Sequence, residues 1–310
     1  MKKTIQLLLC MAMPFLTFAC NQAENAPASR SAVQAQSLAA SSGSDGDECL
    51  TVYRHISRED VIKYQVTDPE MNIEGLDGFY ARAACNLTWP KTIMGRTSAK
   101  LEQALIDKII GEPDKFKSLD AALDHEMDAT NYIPFEKNDV KDVKRIRKIP
   151  DEAGMNQAYY DLQLTPMKMD NNLCVFELAK DSYMGGAHGV YWTEYVNYDM
   201  GKDKVLQLTD LVTDTVKLRE VITQALFEQE GVNSMAALNE NGGFLLDDVK
   251  WVPITQNFYM EDFSIHFVYH PYEIACYARG QVDVKVEPYR LDEAGIQSKY
   301  LQELIDRYTR

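Results

Sequence analysis

Three groups of residues in this chain have types and spacing that could carry chemistry. The first is Gly185-Gly186-Ala187-His188-Gly189, one imidazole among three glycines. Such loops place catalytic or ligand-binding groups on backbone with unusual freedom. The second is His266 and His270, four apart, with Glu273 close behind. On a strand that spacing puts both imidazoles on one face, but Pro271 interrupts the strand at once. A zinc site from His188, His270 and Glu273 is open by composition, and with it a metal-dependent or other envelope hydrolase using His188. The specific patterns are missing, however. No Glu follows His266 as in His-Glu-x-x-His, and there is neither a Gly-x-Ser-x-Gly elbow nor a Gly-x-x-x-x-Gly-Lys phosphate loop. The expectation is therefore a non-enzyme with satisfied structural histidines, no metal and no cofactor, in which His188 donates to a backbone carbonyl and pins a sharp turn.

The third group is aromatic. Tyr191, Trp192, Tyr195 and Tyr198 follow the glycine loop in the run from Val190 to Asp199, and Tyr272 stands further on. Such rings supply the flat amphipathic contacts that interfaces and sugars favour. Strand alternation places Tyr191 and Tyr195 on one face and Trp192 and Tyr198 on the other, and either pair could be the exposed one.

These groups need elements to hold them. Strand character appears at Thr51–Tyr53, Val61–Val66 and Phe79–Pro90, with Pro90 expected to end the last. A helix is predicted from Ser98 through Leu101, Leu105 and Ile109 to Gly111, and a second from Ser118 as N-cap. The charged stretch Asp139–Lys148 reads as a solvated helical face or connector. Strands return at Tyr159–Met169 and Leu173–Leu178 around an Asn171-Asn172 turn, at Val190–Tyr198, and at Val205–Leu208. A helix capped by Thr213 or Asp214 should end near Gly231. Two strands around a Glu261-Asp262 turn, a Val282–Val286 strand and a helix from Gly295 to Tyr308 close the chain. Runs of strands separated by a few helices predict an α+β fold with antiparallel sheet. The folded part divides into modules 49–190 and 191–310, or forms one integrated fold.

The N-terminus predicts location. Lys2 and Lys3 precede an apolar run, Ile5 to Leu16, that is too short for a comfortable membrane span and reads as a bacterial export signal. It ends in Leu16-Thr17-Phe18-Ala19-Cys20, which resembles a lipoprotein processing site. Residues 1–19 would be removed and Cys20 acylated, anchoring the chain to the envelope, with the outer membrane as the expected site. Residues 20–48 are Ala, Ser, Gln and Gly with almost no large apolar side chain, and they read as a disordered tether reaching roughly 30 Å. The net charge is -15, and losing Lys2 and Lys3 leaves -17. That excludes nucleic acid as a partner and favours a basic protein. In an exported chain, Cys49, Cys85, Cys174 and Cys276 could pair as disulfides in three ways, or remain buried thiols.

The glycine loop, the tyrosine-rich run ending Asn197-Tyr198-Asp199, Val205 to Leu211, and the later His270-Pro271-Tyr272-Glu273-Ile274-Ala275 with Tyr277, Gly280, Val284 and Val286 resemble a bacterial extracytoplasmic domain catalogued as domain of unknown function 3298. Trp89-Pro90 and the helix from Ser98 are similar, more weakly, to a partner module numbered 4163. Relatives of that kind include the extracellular part of an anti-sigma factor that recognises lysozyme and the non-catalytic region of an exported polysaccharide deacetylase. The resemblance implies a sensing or binding module for a lysozyme-like basic protein or cell-wall glycan. Residues 1–310 carry neither a sigma-binding segment nor a deacetylase metal motif, so a binding role is all it implies. Palmitate labelling in a bacterial host tests the anchor: Cys20→Ala should abolish incorporation and release the chain from the membrane fraction, and label retained by the variant would refute acylation at that residue.

Overall fold

The computed structural model describes residues 51–68, 78–154, 156–170, 172–240 and 242–308. The expected signal peptide, Cys20, the tether, Cys49 and Asn171 lie outside them. Among the described residues no helix is long and apolar enough to cross a membrane.

The described residues begin with two long strands, β1 (Val52–Val66) and β2 (Phe79–Thr92), paired antiparallel. The two strand signals at Thr51–Tyr53 and Val61–Val66 are therefore one strand. Pro90 does not end β2, because it sits opposite Tyr53 where the register shifts, and an irregularity tolerates a residue without an N–H. Helices α1 (Ala99–Ile110) and α2 (Leu119–Glu126) follow. The Ser98 hydroxyl accepts from Leu101 N at 3.1 Å, Gly111 closes α1 at φ 71°, and the Ser118 hydroxyl accepts from Ala121 N. The charged stretch after them corrects the expectation of a helical face or connector. Val140–Arg145 is strand β3, on the outer edge of β1, and its stability comes from the backbone ladder to β1 and not from side-chain pattern.

Strands β4 (Gln157–Asp170), β5 (Leu173–Tyr183), β6 (Val190–Asp199) and β7 (Lys204–Val205) complete a seven-stranded sheet of order β3-β1-β2-β4-β5-β6-β7. All neighbours are antiparallel except β2 and β4. Residue 190, the expected module boundary, begins the sixth strand of this sheet. The expected return strand at Val205–Leu208 lasts only two residues. Gln207 and Asp210 form a reciprocal capping box that turns Leu208–Leu211 into a short helix, α3.

Helices α4 (Thr215–Glu230, N-cap Asp214, ending at Gly231) and α5 (Met235–Glu240) lead to a second sheet. It contains β8 (Phe258–Glu261), β9 (Ser264–Tyr269) and β10 (Val282–Val286) in the order β10-β9-β8. The β8–β9 turn is Asp262-Phe263, both at positive φ, one residue later than predicted because Glu261 pairs with Ser264. Helices α6 (Pro288–Glu293) and α7 (Lys299–Tyr308) end the chain, the latter starting at a Ser298 cap.

Two apolar cores result. One lies between the helix-facing side of the large sheet and α1 and α2, centred on Ile62, Leu87, Leu105, Leu162 and Phe176. The other lies among the small sheet, α4, α6 and α7, and takes in Val175 from β5. Cys85, Cys174 and Cys276 are free thiols. Register rules out a bridge between the first two. Cys85 lies across from Leu162 and hence from Lys180, so Cys174 is two strands away and six residues further along, roughly 20 Å off. Burial pushes the Cys174 thiol up to about 12, which keeps it protonated and inert.

The C-terminus is tied back by a buried charge. Asp199, fully buried, accepts from Tyr300 Oη at 2.6 Å and from Arg307 Nη2 at 2.6 Å. Burial raises its pKa, but Arg307 and Tyr300 outweigh that and hold it below the ordinary carboxylate value. Its contribution to stability is thus present above the ordinary value and lost as pH falls through the depressed one. Asp199→Ala should cost about 1–3 kcal/mol by removing the carboxylate that accepts from Tyr300 and Arg307 and should flatten the acid limb of the thermal-midpoint profile; an unchanged midpoint would contradict this.

Candidate functional site

The glycine loop connects β5 to β6, and its geometry explains its composition. Gly185 and Gly186 take φ of 93° and 95°. At Gly189 a Cβ would come within 2.8 Å of Ser182 O. Tyr183 Oη donates to Gly186 O at 3.0 Å, and His188 Nδ1 lies 2.9 Å from Gly189 O, so a proton there pins the turn.

The His188 ring is not isolated. It stacks on Tyr277 at 3.7 Å between centroids, and its Nε2 lies 3.4 Å from Tyr272 Oη. Tyr191 meets Tyr277 edge-on at 6.0 Å. Tyr272 holds φ 72°, a strained value for an aromatic residue, and remains 59% exposed. Its backbone is fixed by Tyr272 N donating to Ala275 O at 2.8 Å, next to His270 N donating to Glu273 Oε2. The segment after β9 thus lays tyrosines over the glycine loop.

Carboxylates flank the rings. Asp181 on β5 is directly opposite Tyr191 on β6 and Asp161 on β4, and Tyr159 is opposite Tyr183, with which it stacks at 6.2 Å. Burial raises the Asp161 carboxyl, with Arg82 opposing and Glu59 adding to the rise. Burial and then the Asp161 charge raise Asp181. Arg82 pairs with Asp161, whereas Asp181 meets no cation among the described residues. The result is one surface of tyrosines, an imidazole and an available carboxylate.

Of the residues expected to bind, His188, Tyr191 and Tyr272 come together here and the others do not. Tyr195 shares the Tyr191 face but packs on Tyr259 at 4.7 Å, half-buried, with its hydroxyl toward Glu177. Tyr198 is core, its hydroxyl donating to Asp203 at 2.8 Å. Trp192 points to the helix side of the sheet, beside Lys180. His266 is held by Asp283 at 3.0 Å. His270 is separated from the glycine loop in function: Nε2 lies 2.8 Å from Thr193 O, and Nδ1 lies 3.5 Å from Glu273 Oε1. Among the described residues no three His, Cys, Asp or Glu side chains are grouped to hold a metal ion. Tyr277, Tyr159, Tyr183, Asp161 and Asp181 went unpredicted. The Tyr-rich spacing at Tyr159 and Tyr183 was visible, but their meeting depends on strand register.

Residues 209–289 match the family described as protein of unknown function (DUF3298). The match is to a segment and not to the whole chain. It covers the segment from α3 to the start of α6, including β8–β10 and Tyr272 and Tyr277. A DUF3298 family member from Bacteroides fragilis has a similar fold, with TM-score 0.61 and 19% identity over 84% of this chain and 98% of that one. A DUF3298 family protein from Pseudomonas aeruginosa has TM-score 0.51 and 19% identity over 83% and 98%. No curated protein matches the chain.

The His270 link is pH-sensitive. Burial lowers its pKa, but Glu273 and the Thr193 carbonyl together outweigh burial and raise it above the ordinary histidine value. A raised histidine contributes stability fully present below the ordinary value of about 6.5 and lost as pH rises through the folded-state value. The thermal midpoint should therefore fall as pH rises through that window, and His270→Gln should remove the slope; an identical slope in the variant would refute the assignment.

Proposed function

We propose that this protein is a lipid-anchored, extracytoplasmic binding module without catalytic activity. It captures a basic protein such as a lysozyme on the surface of His188, Tyr191, Tyr272 and Tyr277 beside Asp181. The observation that carries this reading is the meeting of the glycine loop with the Tyr272–Tyr277 segment, which holds exposed rings next to a carboxylate that meets no described cation. Lysine and arginine side chains stack on tyrosine faces and pair with carboxylates, so such a surface favours cationic groups. The overall charge of -15 steers a basic partner toward it. The resemblance to lysozyme-sensing ectodomains supports the same class of partner, and the signal and Cys20 support the envelope location.

A cell-wall glycan would use the rings without needing the carboxylate, and one experiment separates the two. Titrated calorimetrically with hen lysozyme at low salt, the chain should bind at micromolar or better, and more weakly in raised salt. Tyr272→Ala should weaken binding roughly ten-fold. Asp181→Asn should reduce the salt dependence, and binding should fade in acid at a higher pH than an ordinary aspartate would dictate, because the Asp181 carboxyl is raised. Absence of lysozyme binding at low salt would remove the partner; binding of peptidoglycan fragments, indifferent to salt and to Asp181→Asn, would assign the surface to glycan.

A further inference from the structure

At the end of the large sheet away from the glycine loop, a cavity of about 360 Å³ opens between the end of β2 and the start of α1. That volume is in the range of small-molecule sites. Its lining inverts the charge balance of the chain. Acids outnumber lysine and arginine by 47 to 32 overall, yet the charged residues around this cavity are Arg54, Lys91 and Arg96 against Glu102 alone. Among the described residues none of these four is in an ion pair. The nearest other acid on the α1 side is committed elsewhere: Asp203 accepts from Ser98 Oγ at 2.6 Å and lies 3.2 Å from Lys100 Nζ. Cations gathered without counter-ions repel one another, and the apolar floor of Trp89, Ile93 and Leu101 screens that repulsion less than water does. All three cationic side chains are exposed, so a ligand reaches them without opening the fold.

The backbone places each cation. Arg54 on β1 lies directly opposite Trp89 on β2. Lys91 is the extra residue of a bulge: Tyr53 pairs with Pro90 and Val52 with Thr92, which leaves Lys91 without an opposite number on β1. A bulge re-aims the side chain it carries. Arg96 closes a two-residue turn on Met94 and Gly95, at φ 49° and 72°, with Ile93 N donating to Arg96 O at 2.8 Å and Arg96 N donating to Ile93 O at 3.0 Å. A strand, a bulge and a closed turn thus hold the three cations around one space, and a ligand need not order that backbone.

We propose that this cavity binds a phosphate monoester group. Three cations and one carboxylate leave an excess of two positive charges, which a phosphomonoester, close to a dianion at neutral pH, offsets. The guanidinium forks of Arg54 and Arg96 suit its oxygens. A carboxylate or a phosphodiester has one charge and leaves half of the excess uncompensated. Two sources carry the group: a soluble phosphomonoester, or a lipid headgroup such as that of phosphatidic acid. β1 enters the sheet beside the cavity, so on the anchored reading this is the side from which the acylated segment joins. The assignment of phosphate rests neither on that reading nor on lysozyme capture.

The test titrates the full chain calorimetrically, at neutral pH and low salt, with methyl phosphate, dimethyl phosphate and acetate, and mixes it with phosphatidylcholine vesicles with and without phosphatidic acid. Methyl phosphate should saturate a single site and bind roughly ten-fold more tightly than dimethyl phosphate or acetate. Arg54→Gln and Arg96→Gln, both at exposed positions that the fold does not depend on, should each weaken it roughly ten-fold. Lys144→Gln, the same change of charge on β3, and Tyr272→Ala should leave it unchanged. Binding to phosphatidic acid vesicles that methyl phosphate displaces and both arginine variants lose assigns the lipid source; vesicle binding that is absent, or that both variants retain, assigns the soluble one. Failure of methyl phosphate to saturate, equal affinity for acetate, or a loss in Lys144→Gln as large as in the arginine variants would overturn the proposal.

Discussion

Strand β6 has backbone groups that a sheet does not satisfy, and the way they are satisfied determines where everything else stands. Beyond the pairing of Tyr198 and Asp199 with the two residues of β7, its outer edge has no strand partner among the described residues. Buried peptide groups cannot be left unpaired. Side chains from the second core take them instead. Asn257 Nδ2 donates to Thr193 O at 2.7 Å, and His270 Nε2 lies 2.8 Å from the same carbonyl. Asn197 reaches the other way, donating to Phe258 O and accepting from Met260 N, both at 2.8 Å. An asparagine side chain carries a donor and an acceptor and here replaces a missing strand residue. The joint between the two sheets is therefore polar and directional, where apolar packing alone would allow sliding.

From that joint the site follows. His270 ends β9 and ties it to Thr193, so the segment immediately after it must pass over the start of β6, where the glycine loop lies. Tyr272 and Tyr277 then have one place to go, and the stack on His188 closes it. The alternation of β6 sends Tyr191 to that side, onto a tyrosine and aspartate surface open to solvent, and Trp192 to the other, beside the buried Lys180.

Much of the scaffold was legible in the chain. Ser98, Gly111, Ser118 and Asp214 each cap a helix as their chemistry dictates, and period-two patterns marked β4, β6 and β10. Segments whose structure depends on distant partners were not legible. Val140–Arg145 has charged residues on both faces and becomes a strand only because β1 offers a ladder. Leu208–Leu211 turns on a reciprocal cap between Gln207 and Asp210, which outweighs a strand-like apolar pattern. The site shows the same limit. The turn after β4 pairs Met169 with Cys174, a register that would put Asp161 opposite Ser182. The irregularity at Pro166–Lys168 shifts it by one, bringing Asp161 opposite Asp181 on the tyrosine face. No local pattern announces that bulge, so the carboxylates flanking the rings could not be read from spacing. His188, Tyr191 and Tyr272 could be named because their residue types suit recognition wherever they are placed, but Tyr195 and Tyr198 have the same types and serve the core.

The central claim is that the joint at β6 holds a recognition surface made from the glycine loop and the segment after β9. Hydrogen–deuterium exchange of the chain alone and saturated with hen lysozyme tests it most directly, since it reports where protection appears without presuming which side chains matter. The account predicts added protection confined to residues 183–191 and 270–280, with the outer strand β3 and helix α4 unchanged. Protection centred on β3 or α4, with those two segments exchanging as they do in the free chain, would contradict it.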